Sequence, residues 1–309
     1  MRILLLGSAA GGGFPQWNCL CANCRRAWAG DPAAARRTQS SLAVSADGGR
    51  WLLLNASPDL RQQIIDNPPL HPRREGRDSP IASVAVTNAD VDHLAGLLSL
   101  RERQPFTLYA SQRVHGTLAA NPIFRVLDAS VVAPRTLALD TAEAIAETDG
   151  APLGLAIEAF AVPGKVALYL EDPAAGPGFG TIAGDTVGFE IAEPARAVRF
   201  FYIPGCAAID GRLAERLAGA PLVFFDGTVW RDDEMIAAGL GSKTGRRMGH
   251  LSMSGENGSL AQLARLGVKR GIYVHINNTN PVLIADSPER RAVEEAGFEV
   301  AHDGQEIVL

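Results

Sequence analysis

The sequence predicts an α/β sandwich, in which two β-sheets pack face to face and helices cover their outer surfaces. Short β-like runs recur along the whole chain, and many are almost continuously apolar, as is typical of strands covered on both faces. Helical patterns lie among these runs in both halves, and no linker or low-complexity tract divides them. The 309 residues, 47% hydrophobic, can bury a substantial core. We predict a single domain over residues 1–309.

The predicted strands are short and separated by turns or helices. In chain order they are Ile3–Leu6, Ser41–Ser45, Trp51–Asn55, Ile81–Thr87, Phe106–Tyr109, Leu155–Ala161, Val166–Leu170, Val187–Ile191, Val198–Ile203, Leu222–Asp226 and Gly271–Ile276. A glycine-rich loop, Gly7–Gly13, follows the first of them. Its glycines are expected to let the backbone approach a neighbouring site closely.

Two helices and two loops have clear signals. Asp92–Arg103 carries leucines on a broad apolar stripe, which predicts a helix packed on a sheet. Ser287-Pro288-Glu289 combines an N-cap, a proline at the first helical position and an acid in the first turn, and Gly297 ends that helix. Asn67–Pro80 and Asp172–Gly180 are rich in proline, glycine and charge, so we predict surface loops there.

Composition excludes several classes of function. The formal charge of −5 and pI of about 5.7 provide no overall basic field for binding nucleic acid or anionic lipid. No apolar run approaches the length of a membrane span. The first residues, MRILLL, contain one arginine and a short apolar run, which favours a buried strand over a secretory signal. We predict a cytoplasmic protein that acts on a small molecule or peptide.

The segment TNADVDHLAGLLSL has the outline of a T-H-x-H-x-D-H metal motif. Asn88 and Asp90 stand where its first two histidines would be, and Asp92 and His93 keep the pattern. Alone, this stretch is also typical of a helix N-cap. His275, however, ends another apolar strand. Two histidines and one aspartate at strand ends have the composition of a 2-His-1-carboxylate centre, so we predict that Asp92, His93 and His275 bind one metal ion.

Three of the four cysteines, Cys19, Cys21 and Cys24, form a C-x-C-x-x-C cluster. This packing does not resemble a disulfide framework. Three thiolates so close together chelate zinc well, although a closed structural site requires a fourth ligand. We predict a structural zinc site apart from catalysis, with three buried inert cysteines as the alternative.

Seven segments carry a resemblance that covers most of the chain: GSAAGGGFPQWNCLCANC, SPDLRQQI, TNADVDHLAGLLSLRE, FFYIPGC, LVFFDGT, MGHLSMSG and VKRGIYVHINNTNP. They resemble the pyrroloquinoline quinone (PQQ) biosynthesis protein B family of the metallo-β-lactamase fold superfamily. The resemblance implies an αββα sandwich of two mixed sheets with outer helices. It also implies which metal sites of the superfamily are retained.

The resemblance implies that the first metal site of the di-zinc hydrolases is lost. Asn88, Asp90 and Lys165 occupy the positions of its three histidines, and a lysine ammonium has no lone pair to offer a cation. The second site keeps its aspartate and both histidines. The bridging acid of that site falls near Cys206, with Asp226 as a nearby alternative.

Two further positions follow from the resemblance. A related phosphodiesterase branch has a fourth zinc-binding histidine where this chain has Asn278, which leaves a carbonyl oxygen, water or another side chain to complete the cysteine site. His250 lies where the nuclease branch has a catalytic histidine. We predict a role for it in acid–base catalysis or substrate binding, with a plain loop histidine as the alternative.

The resemblance implies a function in PQQ biosynthesis. The leading hypothesis is an Fe(II)-dependent oxygenase that uses O₂ to hydroxylate the tyrosine ring of a Glu–Tyr cross-linked precursor, with Asp90 as an extra ligand or base. A mono-zinc hydrolase is the second hypothesis, and a carrier of PQQ or its precursor is the third. The expected cofactors are Fe(II) and structural zinc. The oligomeric state stays open, with a dimer as one possibility.

Overall fold

The computed structural model describes residues 1–176 and 178–309 and contains two seven-stranded sheets. The strands are β1 Arg2–Gly7, β2 Ser41–Ser45, β3 Trp51–Leu54, β4 Ile81–Val86, β5 Phe106–Ser111, β6 Val132–Leu137, β7 Thr141–Ala146, β8 Pro152–Ala161, β9 Val187–Glu193, β10 Val198–Ile203, β11 Val223–Asp226, β12 Gly271–Val274, β13 Glu299–Val300 and β14 Glu306–Val308.

Both sheets are mixed. The first has the order β14-β1-β2-β3-β4-β5-β6, antiparallel from β14 to β3 and parallel from β3 to β6. The second has the order β13-β12-β11-β10-β9-β8-β7, parallel from β13 to β10 and antiparallel from β10 to β7. The parallel strands of each sheet bring their carboxyl ends to the same edge, which is where ligand sites of such sheets form.

Helices connect the strands on the outside. The α-helices are α1 Ala22–Trp28, α2 Leu60–Asp66, α3 Val91–Leu94, α4 Gln112–Ala120, α5 Gly211–Leu217, α6 Glu234–Ala237, α7 Gly245–Met248, α8 Ser259–Arg265 and α9 Pro288–Glu295. The 3₁₀ helices are Pro68–Leu70, Ala95–Leu100, Pro122–Val126, Leu168–Leu170, Pro173–Ala175, Pro194–Arg196 and Pro281–Leu283. In the part of the chain that is described, every helix is too short or too polar to cross a lipid bilayer.

Three apolar layers hold the sandwich together. The central layer joins the inner faces of the two sheets, with Leu52, Leu54, Phe189 and Phe224 among its fully buried members. A second layer packs helices on the outer face of the second sheet, and a third does so on the first sheet. The predicted α/β sandwich of two mixed sheets with outer helices is therefore confirmed.

Some local predictions were wrong. Val166–Leu170 was expected as a strand but ends in the 3₁₀ turn Leu168–Leu170, where Leu168 is 57% exposed and Tyr169 is 48% exposed. An apolar run alone does not distinguish a core strand from a wall of a cavity. The strands β6 and β7 were not predicted because most of their residues are exposed or only partly buried.

The predicted helix Asp92–Arg103 is interrupted after one turn. Its α-helical part is α3, and Ala95–Leu100 continues as a 3₁₀ helix. The backbone N–H of Ala56 donates to the carbonyl of His93 at 2.7 Å, and Gly96 N–H donates to the carbonyl of Ala56 at 2.8 Å. These bonds to the segment after β3 replace bonds that a continuous α-helix would form. They hold the His93 backbone against the segment that follows β3.

Candidate metal centre

The predicted metal ligands come from the two sheets and meet at one edge of the sandwich. Asp92 and His93 lie in α3, just after β4, and His275 directly follows β12. One ligand atom from each of the three side chains lies within 4.8 Å of the others. Asp92 Oδ2 is 3.0 Å from His275 Nε2 and 3.6 Å from His93 Nε2. The structure thus brings the three residues together, and their role as metal ligands stays a prediction.

A polar network orients the His93 ring. Its Nδ1 lies 3.0 Å from Thr87 Oγ1 and 2.9 Å from Asn55 Nδ2. Asn55 has a left-handed backbone with φ of 64°, a conformation that asparagine tolerates better than most residues, and its Oδ1 accepts the backbone N–H of Thr87 at 2.9 Å. The two contacts correspond to different tautomers: Nδ1 accepts from Asn55 Nδ2–H in one, and Nδ1–H donates to Thr87 Oγ1 in the other. The second tautomer leaves the Nε2 lone pair available to a metal ion.

His275 is held in a strained backbone conformation. Its φ is 55°, which a histidine adopts only where the surroundings impose it. The N–H of Ile276 donates to Ser8 O at 3.0 Å, and the N–H of Asn277 donates to Thr228 O at 3.0 Å. Thr228 Oγ1 lies 2.8 Å from His275 Nδ1. The bonds around His275 therefore direct its Nε2 into the cavity.

Asp226 orients the histidines. This residue ends β11 and is fully buried, and its Oδ1 accepts the backbone N–H and the hydroxyl of Thr228 at 3.0 and 2.6 Å. Its Oδ2 accepts His250 Nδ1–H at 2.7 Å and Cys206 N–H at 2.9 Å. Burial opposes ionisation, but the neighbouring His250 holds the Asp226 pKa below its usual value. All four acceptor positions of the carboxylate are occupied.

Neither candidate for the bridging acid is free to bind a metal. The carboxylate of Asp226 is saturated by the four hydrogen bonds above. The Cys206 thiol is buried and donates to Ala208 O at 3.1 Å, and burial raises its pKa well above the usual range. Asp226, His250 and His275 also bring ligand atoms within 4.8 Å, yet the hydrogen bond between His250 and Asp226 favours an orienting role for Asp226.

The charges of the centre favour a cation. Burial opposes ionisation of Asp92, but the nearby His93 and the hydrogen bond from His275 hold its pKa below the usual range. Burial would also lower the pKa of His275, but its hydrogen bond to Asp92 and the nearby carboxylates raise it. For His93, burial prevails and the pKa is lowered. The centre therefore stabilises one positive charge beside Asp92, where a bound metal would replace the proton of His275.

The positions of the lost first site are engaged elsewhere. Asn88 Oδ1 accepts the backbone N–H of Asp90 at 2.9 Å, and Asp90 Oδ1 accepts the backbone N–H of Leu168 at 3.1 Å. Lys165 Nζ lies 3.4 Å from Glu171 Oε1. Among the residues of ranges 1–176 and 178–309, no second cluster of metal-binding side chains forms at these positions. The geometry supports one metal ion in this pocket.

The centre opens into a cavity of about 410 Å³, a size suited to a small organic molecule. It is lined by Ala10, Gly11, Asn88, Asp90, Asp92, His93, Lys165, Leu168, Gly205, Thr228, Lys243, Met248, His250, His275 and Asn277. A Cβ atom on Gly11 would lie 3.3 Å from Asp92 Oδ2, so the glycine-rich loop approaches the centre closely, as expected. Both predicted catalytic residues, Asp90 and His250, face the same space as the metal ligands.

The cysteine cluster lies next to the segment that follows β12. The Sγ atoms of Cys19, Cys21 and Cys24 lie within 4.8 Å of one another, and all three are free thiols. Asn278 Nδ2 lies 3.2, 3.8 and 3.4 Å from them in that order. Burial raises the pKa of the Cys24 thiol to about 12, so a cation is needed to stabilise its thiolate. The three sulfurs fit a zinc ion, while the Asn278 amide nitrogen faces them as a hydrogen-bond donor and has no lone pair to offer as the fourth ligand.

The sequence interpretation missed the residues that orient the ligands: Asn55, Thr87 and Thr228. Each lies at or just beyond the end of an apolar strand, which is the same signal that singled out Asp92 and His275. Polar residues at strand ends converge on one edge of a sheet. Applying that rule to β3 and β11 would have found Asn55 and Thr228.

Comparisons with known proteins agree with this geometry. Residues 50–276 match the family model described as "Beta-lactamase superfamily domain". "Coenzyme PQQ synthesis protein B" of Methylorubrum populi is 55% identical over 309 residues, covering 100% of both chains. The solved structure of Zn²⁺-bound PqqB from Methylobacterium extorquens is 53% identical, with a TM-score of 0.92 and 100% of both chains covered.

A more distant structure shares the fold alone. A diphosphatase from the PhnP family is 21% identical, with a TM-score of 0.68, and the match covers 99% of this chain and 97% of that one. By contrast, the matches to the Methylorubrum populi protein and to the Zn²⁺-bound structure cover the whole chain at 55% and 53% identity. The chain belongs to the coenzyme PQQ synthesis protein B family and has the metallo-β-lactamase fold.

Proposed function

We propose that this chain is a metalloenzyme of PQQ biosynthesis, and that it is an Fe(II) oxygenase that hydroxylates the tyrosine ring of a Glu–Tyr cross-linked precursor. The name of its relatives, coenzyme PQQ synthesis protein B, supports the pathway. The observation that carries the chemistry is the trio Asp92, His93 and His275, which lines an open cavity. Function depends on such a site rather than on the fold, which hosts several activities.

The donor set fits Fe(II). Two imidazole nitrogens and one carboxylate are the protein ligands of non-haem iron oxygenases, and Fe(II) bound in this way supplies the capacity to activate O₂. Thr87 and Thr228 lie at the Nδ1 sides of His93 and His275, so both Nε2 atoms point toward Asp92, and a metal ion would take the place of the proton between His275 Nε2 and Asp92. The cavity of about 410 Å³ that these residues line has room for a small aromatic substrate.

His250 is suited to accept a proton from the substrate. Its Nδ1–H donates to Asp226, and that bond leaves Nε2 as the ring nitrogen available in the cavity. A buried carboxylate behind a histidine fixes its tautomer and stabilises the imidazolium that forms. We infer that His250 Nε2 takes the phenol proton, while Asp90 orients the phenol or a water molecule.

The decisive experiment is single-turnover chemistry. Ring hydroxylation inserts one atom of O₂ and reduces the other to water, so two electrons must come from an added reductant. Protein loaded anaerobically with Fe(II) is mixed with precursor, reductant and isotopically labelled O₂. We expect one labelled oxygen atom in the product by mass spectrometry. A product without label, or no product at all, would refute the oxygenase proposal.

Hydrolysis with one zinc ion is the second candidate. It is favoured by the Zn²⁺ in the solved relative and by the Asp226–His250 pair, which is an arrangement suited to activating water. A zinc hydrolase would release product without O₂. Zinc-loaded protein is therefore compared with the Fe(II)-loaded protein under the same conditions. A carrier of PQQ or its precursor would bind ligand but produce no turnover with either metal.

A further inference from the structure

The chain uses lysine at very few positions. Only Lys165, Lys243 and Lys269 are lysines among its 29 basic residues. Two of these three, Lys165 and Lys243, line the cavity of the metal centre. Lysine differs from arginine in carrying a compact point charge with three rotatable donors. Its presence at two cavity positions therefore indicates a specific ligand chemistry.

Lys165 is placed in the cavity wall with little carboxylate to neutralise it. Its side chain is 16% exposed, and its stem passes so close to Gly249 that a Cβ there would lie 3.0 Å from Lys165 Cγ. Lys165 Nζ lies 3.4 Å from Glu171 Oε1. Glu171, however, already binds Arg247 through both oxygens, at 3.1 and 2.8 Å. One carboxylate is thus shared by two cations.

Lys243 adds a further positive charge to the same wall. It is partly buried and forms no ion pair with any carboxylate in residues 1–176 or 178–309. The charge of Lys243 also contributes to the lowered pKa of Glu171, so Lys243 belongs to the same group of charges as Lys165 and Arg247. Lys165, Lys243 and Arg247 supply three positive charges against the single negative charge of Glu171, so this wall keeps an excess of two.

The cavity carries charges of both signs. Asp90 and Asp92 line it, where a metal ion would neutralise them, and Lys165 and Lys243 line it as well. Partly burying an ammonium such as that of Lys243 costs free energy that an anionic ligand recovers, since charge-assisted hydrogen bonds are stronger than neutral ones. The matching ligand carries carboxylates for the lysines and a reacting group for the metal centre.

We propose that Lys165 and Lys243 form a carboxylate-binding subsite that selects a small polycarboxylic amino acid and directs its ring toward the metal centre. This inference rests on the proposed function for the identity of the ligand. A free Glu–Tyr cross-linked diamino acid retains two carboxyl groups of glutamate and one of tyrosine. At about 410 Å³, the cavity accommodates such a molecule rather than a folded peptide.

Binding without turnover tests the subsite. Zinc-loaded protein is titrated calorimetrically, without O₂, with the free diamino acid and with its methyl ester, in which the carboxylates are blocked. The variants are Lys165→Met and Lys243→Met, which keep the length of the side chain and remove its charge. Lys269→Met is the matched control, because Lys269 is exposed and precedes β12 at the end opposite to His275.

We expect each cavity variant to bind the acid about tenfold more weakly than wild type, and Lys269→Met to bind it normally. The ester should bind weakly to every form. Lys165→Arg and Lys243→Arg should recover part of the affinity, which separates charge from packing. Equal affinity of Lys165→Met, Lys243→Met and Lys269→Met for the acid would overturn the subsite, as would tight binding of the ester.

The two proposals fail separately. If the protein has no oxygenase activity, the binding experiment still tests the subsite, because the titration requires no O₂. If labelled product forms but KM is the same in wild type and both cavity variants, the subsite is wrong and the oxygenase proposal stands. If both hold, KM should rise about tenfold in the variants while kcat changes less, because the lysines contact the substrate away from the reacting ring.

Discussion

The two candidate metal sites are assembled in opposite ways. The cysteine cluster draws Cys19, Cys21 and Cys24 from one turn at the start of α1, and Cys21 is the N-cap residue of that helix. The carboxylate–histidine centre joins Asp92 to His275, which are 183 positions apart and belong to different sheets. The first site is a local structure, and the second exists only because the sheets pack together.

One short segment nevertheless connects the two sites. Residues 275–280 begin with His275, and Asn278 of the same segment contacts all three cysteine sulfurs. Asn23 Nδ2 lies 3.2, 3.0 and 3.1 Å from the carbonyl oxygens of residues 278, 279 and 280. The cysteine site was expected to stand apart from catalysis. That expectation stays a prediction, and the contacts of Asn278 link the cluster to the segment that begins with His275.

The largest effect is expected when one predicted ligand of the metal centre is removed. Asp92→Ala, His93→Ala and His275→Ala should each reduce labelled product by about 10³-fold or more, and the double variants should lose little further, because one missing ligand already removes the metal. Product formation and metal content are measured together. His302→Ala, an exposed histidine, is the control. Additive losses would show that the three residues do not act as one metal site.

Removal of the cysteine ligands should act on stability first. The Cys19, Cys21 and Cys24 triple serine variant should lose about one zinc ion and unfold at a temperature lower by about 5 °C or more. Elemental analysis and thermal unfolding measure this. Cys206→Ala is the control, because Cys206 lies outside the cluster. Unchanged zinc content in the triple variant would rule out the cysteine site.

Thr228→Val tests whether the Thr228 hydroxyl group orients the predicted metal ligand His275. The variant loses the hydroxyl group that contacts His275 Nδ1 and Asp226. Affinity for the active-site metal should fall by about 10- to 100-fold, as is typical when the partner of a metal-binding histidine is removed. Chelator competition measures the affinity, and Thr228→Ser should retain it. If valine and serine bind the metal equally well, the hydroxyl has no orienting role.

The smallest effect concerns the shared segment. Asn23→Ala removes the amide that lies against three carbonyl groups of residues 278–280, so the segment should loosen and both sites should bind their metal a few-fold more weakly, equivalent to about 1 kcal/mol. Asn18→Ala, at an exposed residue in the segment before α1, is the control. A loss confined to the cysteine zinc would mean that the two sites are not coupled.

Local sequence patterns predicted an element correctly where its structure does not depend on neighbouring elements. The helix that begins at Ser287-Pro288-Glu289 is found as α9, with the Ser287 side chain accepting Arg290 N–H. The same reasoning failed for Val166–Leu170, because that apolar run forms a cavity wall instead of a core strand. It also failed to predict where α3 ends, because the interruption comes from hydrogen bonds to Ala56 in the segment after β3.

The sequence by itself determined the fold class, the trio Asp92, His93 and His275, and the cysteine cluster, since apolar periodicity and ligand spacing are properties of short segments. Only the tertiary structure decided what surrounds them. Whether Asp226 binds a metal or orients His250 depends on four hydrogen bonds to residues from separate elements. Likewise, Lys165 and Lys243 line the same cavity because the loops that carry them, 78 residues apart in the chain, are packed around it. Such pairings arise from packing between distant segments, which no local pattern encodes.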